Sequence, residues 1–328
     1  MAEKIYDMTI IGGGPVGIYG AFYGGMQGLE INLVDSLPQL GGQLAALYPE
    51  KFIYDLPGHS KIRAGEMVEQ LVEQMDNYGE RINKSIDNSV QNIERLEDRT
   101  FRITTDKDVH IARSILVTAG NGAFSPRKLD GDTGEFSNIH YFVPKMDEFQ
   151  GKNVVIFGGG DSAVDWALML EPIAKSVTIV HRRNEFRAHA SSVDKLKAST
   201  VNVVTPAVVS VLTADNGKVS KVAIENVDTK EVTEYECDDI IALFGFVSSL
   251  GPIKTWGLEL DKTALKVDSK YQTNLEGVYA AGDAASFDGK IKMITAGFGE
   301  AVVAINAAKA YAYPDRVHRH QHSSNIAK

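Results

Sequence analysis

Residues 11–17 read Ile-Gly-Gly-Gly-Pro-Val-Gly, and this stretch decides the fold with which the chain begins. An apolar run precedes it, and residues 15–27 and 31–34 read as a helix and a second strand. A glycine turn between strand and helix lets the backbone approach a pyrophosphate, which the helix N-terminus then binds. Asp35 stands eighteen residues after Gly17, where an acid accepts hydrogen bonds from ribose hydroxyls, with a helix or turn cap as the alternative. The predicted dinucleotide-binding residues are Gly12, Gly14, Pro15, Gly17 and Asp35.

In a second copy of the glycine turn, the residues at the end of the following strand are basic rather than acidic. Residues 157–163 read Phe-Gly-Gly-Gly-Asp-Ser-Ala, again after an apolar strand and before a helix predicted to run to about residue 173. Eighteen residues past Ala163 stand a histidine and two arginines, whose guanidinium groups suit a 2′-phosphate. The acidic copy therefore indicates FAD and the basic copy NADPH, although a basic surface loop is the alternative for the arginines. The predicted NADPH-binding residues are Gly158, Gly160, Asp161, Ser162, His181, Arg182, Arg183 and Arg187.

The two halves of the chain repeat one plan. Each turn opens a strand–helix–strand unit, which short β-like stretches and a closing apolar strand follow. After about residue 247, a strand and a long helix come without a glycine fingerprint of their own, and we expect them to complete the first domain. The predicted fold class is α/β, with two Rossmann-like, three-layer ββα nucleotide-binding domains. We expect a discontinuous FAD domain of residues 1–120 and 248–328, and an inserted NADPH domain of residues 121–247.

Further side chains are candidates for the flavin itself. Gln43 follows two glycines, where a backbone approach to the flavin and a plain surface loop are both possible. Tyr48 and Tyr54 lie in a proline-containing loop, and one aromatic ring is expected to stack on the isoalloxazine. Asp283 ends an apolar strand and can bond a ribityl hydroxyl. A helix that opens near Thr295 would point its N–H groups at the flavin pyrimidine edge, or Thr295 is only an N-cap.

Composition and charge narrow the function classes. The 328 residues are 44% hydrophobic and 23% charged, which is ordinary for a soluble globular protein, and no apolar run approaches the roughly 20 residues of a membrane span. A net charge of −9 argues against nucleic-acid binding. Cys237 is the single cysteine, so a C-x-x-C dithiol is impossible, and the histidines lack metal-ligand spacing. We expect no metal site and no membrane partner, and a cytoplasmic location.

Taken together, these stretches closely resemble the bacterial ferredoxin–NADP⁺ reductases of the thioredoxin-reductase-like type, the type 2 family. The resemblance covers nearly the whole chain, and its central match is the most specific. It implies a thioredoxin-reductase-like fold and a homodimer with one FAD per subunit. The segments that carry it are residues 10–17, 37–43, 46–51, 118–124, 158–172, 181–183, 244–252 and 297–301.

The resemblance also implies which residues surround the flavin ring. Tyr48 would stack on one face, and a C-terminal extension would cover the other face with His322, or with His320 as the alternative. Phe124, at the end of a matched segment, is assigned to the cofactor site. Tyr48 and His322 are the predicted catalytic residues, and they would shape access and potential rather than exchange protons. Whether the extension covers its own flavin or that of the partner subunit stays open.

The expected activity is electron transfer from NADPH through FAD to ferredoxin or flavodoxin, by hydride transfer and then single-electron steps. One alternative is an NADPH-dependent flavin reductase or diaphorase with a quinone or disulfide-protein acceptor. Another is a redox sensor that binds both cofactors without turnover. An acidic ferredoxin would need a local positive patch on a chain of net charge −9. The basic tail from Lys309 onward supplies part of one, although a solvated terminus is its ordinary interpretation.

Overall fold

A computed structural model of the chain describes residues 4–143 and 145–317, without the side chains of residues 123–125. The chain divides into two compact units, with the divisions after residues 124 and 247. We call residues 125–247 the second unit and the remainder the first unit.

The six helices of the described residues fall in both units. They are α1 (Pro15–Met26), α2 (Gly42–Leu47), α3 (Ala64–Asp76), α4 (Asp161–Leu170), α5 (Ala190–Ala198) and α6 (Ile294–Ala312). Helix α4 ends earlier than predicted, because Pro172 follows and has no N–H to continue the ladder. None of these helices is long and apolar enough to cross a bilayer.

The strands are short and numerous. In chain order they are β1 (Ile5–Tyr6), β2 (Met8–Ile11), β3 (Ile31–Val34), β4 (Phe52–Ile53), β5 (Ile62–Arg63), β6 (Ile82–Ser85), β7 (Val90–Arg95), β8 (Phe101–Thr105), β9 (Val109–Ala112), β10 (Ile115–Val117), β11 (Ala123–Pro126), β12 (Ile139–His140), β13 (Asn153–Phe157), β14 (Ser176–Val180), β15 (Asn202–Val204), β16 (Ala207–Asp215), β17 (Lys218–Asn226), β18 (Val232–Glu236), β19 (Asp239–Ala242), β20 (Phe246–Ser249), β21 (Leu260–Asp261), β22 (Ala264–Lys266), β23 (Val278–Ala280) and β24 (Ala285–Ser286).

A five-stranded parallel sheet, in the order β23-β10-β2-β3-β6, forms the middle layer of the first unit. Its central strands are buried along their whole length, as continuous apolar strands covered on both faces are. Helices α1, α3 and α6 pack on one face, and the sheet β1-β9-β8-β7 packs on the other. Because β23 pairs with β10, the chain after residue 248 completes this sheet.

The second unit repeats these three layers. Its parallel sheet has the order β12-β19-β13-β14-β15. Helices α4 and α5 cover one face, and the antiparallel sheet β16-β17-β18 covers the other. The predicted α/β class with two ββα nucleotide-binding folds is therefore confirmed.

Candidate functional site

A cavity of about 330 Å³ opens in the first unit where β2, β3, β10 and β23 end. Ligands of open α/β sheets bind at this carboxyl edge of the strands. Seven of the predicted flavin-site residues line the cavity, namely Gly12, Gly14, Pro15, Asp35, Gln43, Tyr48 and Asp283. The structure thus brings together residues that are far apart in the sequence.

Gly17 and Gly14 of the glycine turn differ in the space that surrounds them. A Cβ on Gly17 would stand 1.8 Å from the carbonyl oxygen of Gly12, so α1 packs directly on the turn. A Cβ on Gly14 would meet no atom within 4 Å, because this residue faces the cavity. Helix α1 has no side-chain cap within the described residues, which leaves N–H groups of its first turn for a ligand.

The carboxylate of Asp35 braces this turn. It accepts a hydrogen bond from the backbone N–H of Gly13 and another, of 2.7 Å, from that of Leu37. Asp35 is only 8% exposed, and burial raises its pKa although these two hydrogen bonds act in the opposite direction. A carboxylate has about four lone-pair sites, so this one can still accept a ribose hydroxyl from the cavity.

Tyr48 supplies an aromatic ring to the cavity wall. It follows helix α2 directly, and burial, followed by the negative charge of Asp283, raises its pKa. The phenol therefore stays protonated at neutral pH and is suited to packing rather than to proton exchange.

Other predicted residues stand apart from the cavity wall. The hydroxyl of Thr295 donates to the carbonyl oxygen of Asp55 at 3.2 Å, and the idea that Thr295 is the N-cap of α6 is wrong, because Met293 holds that position. Next to this helix end the cavity is lined by residues 292–294. The side chain of Phe124, together with His322 and its alternative His320, lies outside the described residues.

Sequence reasoning missed several residues of the cavity wall. Residues 88–90 and 250–253 line the cavity, as does Trp256, whose indole N–H donates to the carbonyl oxygen of Gln91 at 3.1 Å. Lys292 was missed as well, and its ammonium donates to the side-chain oxygen of Asn121 at 3.0 Å. The one available signal was the matched segment 244–252, which overlaps this wall.

The second unit contains the other glycine turn at the end of β13. A Cβ on Gly158 would stand 2.7 Å from the carbonyl oxygen of Leu243, whereas one on Gly160 would meet nothing within 4 Å. Helix α4 starts at Asp161 with Gly160 as an N-cap that offers no side chain. The carboxylate of Asp161 accepts the backbone N–H of His189 at 2.8 Å, and the neighbouring Ser162 is exposed.

Three exposed arginines follow strand β14 beside this turn. Within the described residues, Arg182, Arg183 and Arg187 form no ion pair with a carboxylate. The backbone N–H of Arg187 donates to the carbonyl oxygen of Gly159 at 2.7 Å, which holds the basic loop against the glycine turn. Unpaired guanidinium groups beside a helix N-terminus form a site for an anion.

His181 fills the space between the arginines and the turn. A Cβ on Gly159 would lie 2.3 Å from its imidazole, and the ring stacks on Phe186 at a centroid distance of 5.4 Å. Its Nε2 atom is buried without a hydrogen-bond partner among the described residues. Burial, and then the nearby arginines, hold the pKa of His181 below its ordinary value.

The surroundings of Cys237 do not suit a redox role. The side chain is only 5% exposed, and burial raises the pKa of its thiol to about 11. A buried, protonated thiol is unreactive. The chain therefore lacks a reactive thiol as well as a dithiol.

Comparison with known proteins gives a consistent result. The chain matches the model of the pyridine nucleotide-disulphide oxidoreductase family over residues 6–308. A ferredoxin–NADP reductase of Geobacillus thermodenitrificans and ferredoxin–NADP reductase 2 of Bacillus pumilus are each 51% identical to it over 327 residues, which is 99% of this chain and 98% of theirs.

Solved thioredoxin reductases share the fold. Those of Lactococcus lactis, in its FR conformation, and of T. acidophilum are 27% and 25% identical, each with a TM-score of 0.72 over 94% of this chain and 99% of theirs. The chain belongs to the pyridine nucleotide-disulphide oxidoreductase family, in the group of ferredoxin–NADP reductases with a thioredoxin-reductase-like fold.

Proposed function

We propose that this protein passes electrons from NADPH through FAD to ferredoxin or flavodoxin. The observation that carries the proposal is the pair of glycine turns whose second strands end in opposite charges. Asp35 holds the first turn, and Arg182 and Arg183 flank the second. The relatives at 51% identity, which are named ferredoxin–NADP reductases, support ferredoxin as the acceptor. The buried thiol of the lone Cys237 argues against a disulfide reaction in this chain.

The cavity of the first unit fits FAD. The free space at Gly14 admits a pyrophosphate next to the first turn of α1, and Asp35 offers its carboxylate to the ribose. FAD, when bound, accepts a hydride from NADPH and releases electrons singly. Tyr48 would pack against the flavin, and Asp283 would accept a hydrogen bond from its ribityl chain, since both residues line the cavity. The N-terminus of α6 would favour negative charge on the reduced ring.

The second unit fits the phosphates of NADPH. The first turn of α4, with Gly160 and Ser162, would hold the pyrophosphate, and the loop of Arg182, Arg183 and Arg187 the 2′-phosphate. We accordingly propose residues 1–120 and 248–328 as the FAD domain and residues 121–247 as the NADPH domain. The two compact units of the structure support this division. We also propose a cytoplasmic homodimer in which His322 covers the second flavin face.

Replacing His181 with phenylalanine should remove a pH-dependent part of NADPH binding. The ring is neutral near pH 7, since its pKa is lowered. A phosphate dianion beside it would favour the protonated form, so binding takes up a proton and NADPH affinity rises as pH falls through the ordinary histidine range. The KM for NADPH, measured from about pH 5.5 to 8, checks this.

The 2′-phosphate also titrates in this range, so the difference between the profiles of wild type and His181→Phe is the readout. NADH, which lacks that phosphate, is the control and should show no difference. Parallel NADPH profiles for the two proteins would contradict the role given to His181.

The acceptor is tested by NADPH oxidation of the holoprotein with a low-potential ferredoxin and cytochrome c as the reporter, with NADH in parallel. We expect turnover that depends on ferredoxin and prefers NADPH. Rapid flavin bleaching without ferredoxin reduction, accompanied by fast quinone reduction, would replace the acceptor with a quinone. Binding of both cofactors with negligible bleaching would favour a sensor.

A further inference from the structure

We propose that Lys290 and Glu300 form a buried positioning pair that sets how tightly FAD is held and at what potential it is reduced. The inference rests on the proposal that the cavity of the first unit binds FAD. Neither side chain belongs to the cavity wall, so both act through the segments that they hold.

Lys290 and Glu300 are joined by two hydrogen bonds inside the first unit. The ammonium of Lys290 lies 2.5 and 2.6 Å from the two carboxylate oxygens of Glu300. The same carboxylate accepts the backbone N–H of Gly282 at 2.8 Å. The side chains are only 8% and 4% exposed, so both charges are removed from water and depend on each other.

Stability alone is a poor reason for such a pair. Desolvating two charges costs about as much as their attraction returns, and well-packed apolar residues often stabilise a fold equally well. What the pair adds is a defined geometry, since one carboxylate accepts hydrogen bonds from both the ammonium of Lys290 and the backbone N–H of Gly282.

The pair ties two cavity-lining segments to helix α6. Gly282, which adopts a φ of +68°, opens the short turn that carries Asp283 into the cavity wall. Lys290 lies in the loop that continues to Lys292 and Met293, which also line the cavity. Glu300 holds both segments from the second turn of α6.

Close packing transmits any change at the pair. A Cβ on Gly297 would lie 2.6 Å from the side chain of Val16 and 3.2 Å from the Cα of Gly282. The first turns of α1 and α6 and the Gly282 turn therefore meet without space to spare. If Gly282 loses its acceptor, the turn has to shift against a wall that also includes Val16.

The charges act on the flavin as well as on the geometry. The wild-type pair is neutral as a whole. Removing the charge of Glu300 alone leaves a buried cation near the cavity, which favours the negative, reduced flavin. Removing the charge of Lys290 alone leaves a buried anion, which disfavours it.

The test compares three variants purified with FAD: Glu300→Gln, Lys290→Met and the double variant. Each single change should weaken FAD binding about tenfold or more, because it leaves a buried charge without its partner. The flavin midpoint potential should rise in Glu300→Gln and fall in Lys290→Met, and it should return toward the wild-type value in the double variant.

The matched control is Glu276→Gln, which removes an acid of the same unit that pairs with Arg95 at the surface and is 52% exposed. It should change neither FAD affinity nor potential. The double variant, which leaves no unpaired buried charge, keeps the test usable if a single variant fails to fold.

Shifts of the two single variants in the same direction, or affinities and potentials equal to those of Glu276→Gln, would overturn the inference and leave the proposed function standing. A wild-type protein that takes up no FAD would overturn both. Opposite shifts of the midpoint potential support the inference. A merely structural pair would weaken FAD binding in both single variants without shifting the potential in opposite directions.

Discussion

Gly17→Ala should prevent the first unit from folding, whereas Gly14→Ala should leave its fold intact and abolish FAD binding. A Cβ on residue 17 would stand 1.8 Å from the carbonyl oxygen of Gly12 and 2.8 Å from the hydroxyl of Thr118. That hydroxyl in turn donates to the Gly12 carbonyl at 2.7 Å, so the obstructing backbone is fixed. Overpacking against side chains that can move costs roughly 1–3 kcal/mol. The obstruction here is rigid backbone, so we expect a cost comparable with the whole stability of a domain, about 5–15 kcal/mol.

Gly14 differs because nothing in the protein obstructs a Cβ there, and its φ of −70° suits any residue. The added methyl group would instead occupy the space through which a pyrophosphate reaches the first turn of α1. The two variants therefore separate a glycine needed for helix packing from one needed for ligand approach. Both would lower activity, but only Gly17→Ala would do so by unfolding.

Thermal unfolding followed by circular dichroism, with flavin content measured in parallel, checks this pair. Gly14→Ala should unfold at the temperature of the FAD-free wild type and bind no FAD. Gly17→Ala should lose the cooperative transition of the first unit. A stable, yellow Gly17→Ala protein would contradict the packing argument, and a yellow Gly14→Ala protein would contradict the position given to the pyrophosphate.

The elements around both turns are predictable because local pattern determines them. Strand β2, helix α1 and strand β3 follow from apolar runs on either side of glycines, and the acid at residue 35 follows from spacing alone. The same holds for β13, α4 and β14. The end of α4 differs from the prediction, because Pro172 has no N–H with which to continue the helix.

The rest of the cavity depends on pairings that have no local signature. Trp256 and residues 88–90 reach the wall because β7 packs over the parallel sheet, a tertiary contact that no spacing reveals. Lys290 lies in the loop between β24 and α6, and Glu300 lies in α6. No helical or strand periodicity relates the two positions, so the sequence does not indicate that they pair. The hydrogen bonds that Asp35 accepts from the backbone of Gly13 and Leu37 match the alternative of a turn cap, whereas the spacing favoured a ribose.

Arg182→Ala combined with Arg183→Ala should remove most of the preference for NADPH over NADH. Charge-assisted hydrogen bonds contribute about 1.5–3 kcal/mol each, which gives an upper range of about 3–6 kcal/mol for two. Both side chains are exposed, so water and salt screen them, and we expect the selectivity ratio to fall about 100-fold. The loss should come from the kcat/KM for NADPH, while the value for NADH changes little, because NADH carries no 2′-phosphate.

Lys195→Ala combined with Lys197→Ala is the matched control, because it removes two exposed positive charges from α5 in the same unit. A general loss of attraction for a negatively charged coenzyme would affect both double variants alike and both coenzymes alike. A specific phosphate site predicts a loss only in the arginine variant, only with NADPH, and smaller at high salt, where the wild type is itself weakened. Equal losses in the two double variants would show that the arginine loop is only a basic surface. The preference for one coenzyme would then have to come from other residues of the second unit.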